Sequence, residues 1–109
     1  MPTPASPSAR PLALTPAEAE AALAGLPGWS LAPDGTALQR SFRFADFAAA
    51  WAFMSASALA AEAQDHHPDW RNVWNRVDVT LNTHEAGGQV TARDVALAQR
   101  MQTLAARLA

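Results

Sequence analysis

Apolar residues recur along this chain at two spacings, and the switches between them mark out its elements. The first helical stretch opens at Thr15, with Pro16 at the first helical position and Glu18 placed to close a capping box; Gly25 and Pro27 end it. Trp29 to Ala32 and Ala37 to Phe44 then flank Pro33-Asp34-Gly35, a turn pattern that predicts a hairpin. Leu38, Arg40, Phe42 and Phe44 share one parity there, with a single Arg on an otherwise apolar face.

From Asp46, a suitable N-cap, to about Gln64 the spacing becomes helical again. Phe47, Ala50, Trp51, Met54 and Ala58 form one stripe, while Phe53, Ala56, Ala60 and Ala63 occupy other faces. A helix apolar nearly all round is normally buried on every side, and one sheet covers only one side. The expectation is therefore a second subunit against the rest. Pro68 closes the helix by holding His67 extended. Val73 to Thr83 reads as one strand, with Val77, Val79 and Leu81 pointing one way and Trp74, Arg76, Asp78, Thr80, Asn82 and His84 the other. Gly87-Gly88 reads as a turn, Gln89-Val90 as a short last strand, and Thr91-Ala92-Arg93-Asp94 as a second capping box. The final helix carries Val95, Ala98, Met101, Leu104, Ala105 and Leu108 on its buried stripe. The order α-β-β-α-β-β-α predicts an α+β domain with one largely antiparallel sheet covered by helices. Residues 1–14, with Pro2, Pro4, Pro7 and Pro11, read as a flexible tail before a domain at 15–109.

Composition narrows the chemistry. The chain has 109 residues, half of them hydrophobic, enough for one core. It has no Cys, hence no disulfide, thiol nucleophile or thiolate metal site. All its basic side chains are Arg; without Lys there is no Schiff base and no phosphate-loop lysine. Tyr is absent too. A net charge of −2 offers no basic footprint for nucleic acid or anionic lipid, and no apolar run nears the roughly 20 residues of a membrane span. With no signal peptide, the expectation is a cytoplasmic protein. What is left is His, carboxylates and hydroxyls.

All three histidines fall in two short segments, Asp65-His66-His67-Pro68-Asp69-Trp70 and Thr83-His84-Glu85. Each lies where an element gives way to a loop, which suits residues presented for acid–base work. The same residues also read as solvated loop histidines beside an unrelated strand-end histidine. His66, at a helix C-terminus next to Asp65, is expected to hold its proton, favoured by roughly 0.3–1 kcal/mol from the helix dipole. Consecutive histidines diverge, His-x-x-x-His spacing is absent, and no metal site is expected. Asp94 reads as a helix cap rather than a catalytic group, Trp51 as core, and Trp29 as a packed strand residue. Trp70, beside the His pair, reads equally as packing or as an aromatic wall for a flat ring.

The segment Glu62 to Gly88, with His66-His67-Pro68 and then Thr83-His84 at the end of a Val-rich strand, resembles the signature of the pterin-4a-carbinolamine dehydratases. The likeness extends to Leu26-Pro27-Gly28-Trp29, Arg40-Ser41-Phe42-Arg43-Phe44, Asp46-Phe47 and Thr91-Ala92-Arg93-Asp94. Trp74 stands where that family usually has Tyr, and one residue is added between Gly88 and Asp94. The resemblance implies a four-stranded antiparallel sheet with helices on one face, a homodimer or homotetramer, and no cofactor or metal. It implies an enzyme that removes water from a 4a-hydroxytetrahydropterin to give the quinonoid dihydropterin, recycling the cofactor of aromatic amino-acid hydroxylases. By motif, His66 and His84 would be the acid–base pair and His67 would hold substrate and assist. Glu62 and Asp65 would orient the first group, and Asn82, Thr83 and Glu85 would line the pterin site. Some proteins of this fold serve instead as coactivator or assembly partners, including for the CO2-fixing carboxylase. Such relatives can lack the histidines that this chain keeps.

Overall fold

The computed structural model describes residues 11–108. Most of the expected tail, 1–10, lies outside them; within the rest, the Leu14 N–H donates to the Val90 carbonyl at 2.8 Å. Helix α1 spans Pro16–Leu23, with the Thr15–Glu18 capping box formed in both directions. Strands β1, Ser30–Leu31, and β2, Leu38–Arg43, make the expected hairpin around Asp34, whose carboxylate accepts from the Thr36 N–H and hydroxyl. Helix α2 runs Phe47–Gln64 from an Asp46 cap, and α3 runs Ala92–Arg107 from the Thr91–Asp94 capping box.

Between the two long helices the chain departs from the single strand read at 73–83. It forms a hairpin, β3 at Asp69–Val73 and β4 at Arg76–Leu81, with Val73 paired to Arg76 across a two-residue turn. Trp74 takes φ 50 there, a left-handed conformation that sequence rules reserve for Gly, Asn or Asp. Asparagines hold this turn: Asn72 Nδ2 donates to the carbonyls of Trp74 and Arg76, and Asn75 Nδ2 to that of Phe44. Gln89-Val90 is not a sheet strand. Gln89 makes only an isolated bridge to Thr83. The expected strand number survives because the segment just before the supposed third strand, Asp69–Val73, supplies the extra one.

The sheet is antiparallel throughout, in the order β1-β2-β4-β3. Helices α2 and α3 pack on each other and against β4 and β2. Leu38, Phe42, Val77, Val79 and Leu81 meet Ala50, Phe53, Ala61, Leu97, Ala98, Met101 and Leu104 in one core. Gln39, Ser41, Asp78 and Thr80 have the opposite parity and stay partly accessible, as in a sheet with one solvated face. Arg40 belongs by parity to the core face. Its guanidinium lies 4.2 Å from the Phe42 ring centre and donates to the Pro27 carbonyl and the Gln102 side chain, which lets a charge sit at the core's edge.

The phase of α2 also differs from expectation. Its buried stripe is Ala50, Phe53, Ser57 and Ala61, whereas Phe47 and Trp51, stacked at 6.1 Å, and Leu59 are exposed. Trp51 is thus a surface residue. No described helix is long and apolar enough to cross a membrane.

Candidate active site

The C-terminus of α2 sets the two histidines on different paths. Asp65 takes the left-handed conformation, φ 51; its N–H reaches the Glu62 carbonyl and the His66 N–H the Ala61 carbonyl. These are the paired bonds of a Schellman stop, here with Asp in place of the usual Gly. The reversal carries His66 inward, to 6% exposure, while His67 stays at the surface with Nε2 2.8 Å from Glu62 Oε1. Pro68 then leads directly into β3.

His66 meets a buried carboxylate. Its Nε2 lies 2.6 Å from Oδ1 of Asp94, a residue with no accessible surface in the first turn of α3. Asp94 Oδ2 accepts from the Thr91 N–H and the Thr83 hydroxyl, both at 2.8 Å, and the Thr83 and Thr91 hydroxyls are 2.6 Å apart. Around an ionised Asp94 the hydroxyl protons have one arrangement. An ionised Asp94 only accepts, so Thr83 gives its single hydroxyl proton to Asp94 and accepts the one from Thr91. Every buried polar group of this cluster is thereby paired, which an isolated buried charge would require. Nε2 of His66 is committed to Asp94, and Nδ1 makes no hydrogen bond among the described residues.

The third histidine comes from the segment that follows β4. After β4 the chain makes a single 3-10 turn, His84–Ala86, closed by Gly87 and Gly88 in left-handed conformations and by the Thr83–Gln89 bridge. His84, Glu85 and Asn82 line a cleft of about 230 Å³ together with Asp65, His66 and His67. Arg93 Nη1 stands 3.9 Å from Glu85 at the rim. A hollow of about 370 Å³ lies over the open sheet face near Ser30 and Gln39. Its carboxylate, Asp78, already accepts from Ser41 and Arg76, and no histidine reaches it.

Of the residues singled out in the sequence, the cleft therefore unites His66, His67, His84, Asp65, Asn82 and Glu85. Glu62 stands behind His67, and Thr83 is fully buried beneath the floor, bonded to Asp94 rather than facing the cleft. Asp94 does cap α3, as read, and in addition holds His66. A signal for that second role was present: Asp94, Leu97, Ala98, Met101 and Leu104 share one helical face, so a carboxylate stands in a core stripe and needs a buried partner. The carboxylate meeting the His66 ring is thus Asp94, where sequence adjacency pointed to Asp65. Among the described residues no three His, Cys, Asp or Glu side chains converge as metal ligands.

The sequence profile of the family described as "Pterin 4 alpha carbinolamine dehydratase" matches residues 12–104. The chain belongs to this family. A provisionally named pterin-4-alpha-carbinolamine dehydratase of Novosphingobium aromaticivorans is 57% identical over 90 residues, covering 83% of this chain and 93% of that one. One of Mesorhizobium japonicum is 64% identical over 81 residues, covering 74% and 82%. The crystal structure of a transcriptional coactivator/pterin dehydratase from Brucella melitensis superposes with a TM-score of 0.82 at 46% identity, over 85% of this chain and 98% of that one. A pterin dehydratase-like protein identified as a RuBisCO assembly factor in the alpha-carboxysome gives 0.61 at 26% identity, over 72% and 89%. The dehydratase-family match spans every residue of the cleft and the buried cluster behind it.

Proposed function

We propose that this protein dehydrates a 4a-hydroxytetrahydropterin, returning the pterin spent by aromatic amino-acid hydroxylases to its quinonoid dihydro form. The observation that carries the reading is the buried His66–Asp94 pair, in which Nε2 is held by Asp94 while His66 lines a cleft shared with His67 and His84. In the reaction the C4a–O bond breaks, the 4a-hydroxyl leaves as water after gaining a proton, and N5 loses its proton as the N5–C4a double bond forms. One acid and one base suffice, each positioned group contributing roughly 10²–10⁴-fold. His66 delivers a proton from Nδ1 while Nε2 stays on Asp94. His84, which lines the same cleft, takes the N5 proton. His67, steadied by Glu62, holds the ring with Asn82, Asp65 and Glu85.

The reading includes self-association. Phe47, Trp51 and Leu59 expose apolar surface along the outer face of α2, which a second copy of the chain would cover.

The test follows dehydration of chemically prepared carbinolamine pterin by wild type and by His66→Ala, His67→Ala and His84→Ala. Turnover with large kcat losses for His66 and His84, and a mainly KM effect for His67, is the expected result. Wild-type turnover no faster than buffer overturns the enzyme reading and leaves the alternative, a binding module of the same fold acting in assembly or coactivation.

A further inference from the structure

The family resemblance implied Thr83 as a wall of the pterin site, but its side chain has no accessible surface and its hydroxyl points at Asp94. We propose that Thr83 is a positioning residue that keeps the proton between His66 and Asp94 on the imidazole, so that the group facing the cleft is an imidazolium N–H. The inference rests on the dehydration proposed above.

When His66 is ready to donate into the cleft, Nδ1 bears a proton and one further proton lies between Nε2 and Asp94 Oδ1, 2.6 Å apart. Two arrangements share those protons. In one, Nε2 holds the bridging proton and the pair is imidazolium and carboxylate. In the other, Oδ1 holds it, and the ring in the cleft is a neutral imidazole. The difference matters because a neutral imidazole N–H is a very poor acid, whereas an imidazolium N–H suits proton transfer near neutral pH.

What decides between them is the far oxygen of Asp94. Oδ2 accepts from the Thr91 N–H and the Thr83 hydroxyl, each at 2.8 Å, and donors converging on a carboxylate favour its charged form. The backbone donor comes with the helix cap. The hydroxyl donor is separate: Oδ2 carries no proton in either arrangement, so Thr83 donates to it, and the Thr91 hydroxyl, 2.6 Å away, in turn donates to Thr83 Oγ1. Thr83 therefore has only Asp94 to donate to. Its contribution reaches the substrate through Asp94 and His66 and through no direct contact.

The experiment uses the full chain and two readouts. The ¹⁵N resonances of His66 are followed at a pH where Nδ1 remains protonated, and steady-state dehydration is measured in wild type, Thr83→Val and Thr83→Ser. In wild type, Nε2 is expected at an imidazolium position. Valine keeps the shape but removes the hydroxyl, and should shift Nε2 toward the unprotonated range. It should lower kcat by about ten- to a hundredfold, as expected for one charge-assisted hydrogen bond, with KM unchanged. Serine should restore both. A raised KM at unchanged kcat would return Thr83 to the substrate-contacting wall and overturn the proposal, as would a loss of kcat with Nε2 unmoved. An unprotonated Nε2 in wild type overturns it without any variant. If wild type has no dehydratase turnover, the enzyme reading fails, and the resonance still reports where the bridging proton lies.

Discussion

Asp94 does two jobs with one side chain: it caps the last helix and holds the ring nitrogen of His66. Replacing it with Asn separates them, because an amide oxygen at this third helical position can still accept the Thr91 N–H but the side chain carries no charge. Asp94→Asn is expected to lower kcat at least about tenfold and to cost about 1.5–3 kcal/mol of stability, the range for a hydrogen bond to a charged group. Turnover and urea unfolding check both. Combined with His66→Ala, the losses should fall well short of additive, since the two groups form one unit. The histidines of this site were legible in the sequence because they cluster in two segments. Asp94 was half legible: Thr91-Ala92-Arg93-Asp94 announces a cap, and a cap is a sufficient local reason for an Asp. Only the third dimension brings α3's first turn beside the end of α2 and gives the second carboxylate oxygen its partner.

The strands show how a turn can hide. Asn-Gly or Asp-Gly would have marked the β3–β4 hairpin, but Trp74-Asn75 does the turning with a bulky residue at φ 50. The polar alternation of Asp69–Val73 also merged with the loop before it. Trp74 is 65% exposed and gains little from packing, so its conformation is mostly cost. Trp74→Gly should raise the unfolding free energy by roughly 0.5–1 kcal/mol, the relief of a left-handed L-residue less the entropy of glycine, read as a higher urea midpoint. On the open face of the same sheet, Ser41 and Asp78 stand directly opposite in β2 and β4. The Ser41 hydroxyl holds the Asp78 carboxyl below the ordinary aspartate value of 3.8, with Arg76 and Arg71 acting the same way and slight burial opposing. A depressed folded value stabilises the protein above pH 3.8, and that contribution disappears as pH falls through the lower folded value. Asp78→Asn should therefore flatten the acid leg of stability, by less than about 1 kcal/mol at so exposed a site. Chemical denaturation between acid and neutral pH measures it.

At the scale of the molecule, α2 is the element whose orientation could not be read in advance. From Phe47 to Gln64 its only charged residue is Glu62, so several apolar stripes compete and no polar face fixes the phase. The fold selects Ala50, Phe53, Ser57 and Ala61 because small residues let α2 approach α3 and β4 closely around the single large Phe53. That leaves Phe47, Trp51 and Leu59 outward. The all-round apolar character that concealed the inner stripe is the feature that pointed to a second subunit. Under the proposed self-association, Trp51→Glu with Leu59→Glu should lower the sedimentation coefficient to that of a monomer while the far-ultraviolet circular dichroism stays helical. Wild type that sediments as a monomer would count against it.

The buried cluster of His66, Thr83, Thr91 and Asp94 also has a consequence in time. Its members come from the end of α2, the end of β4 and the start of α3, so the proton donor proposed here exists only after the last helix has docked. A nascent chain emerging from the ribosome carries all three histidines long before it carries a poised acid. Competence for chemistry and completion of the fold would then arrive as one event, and lifting the first turn of α3 would silence the site while the sheet still stands.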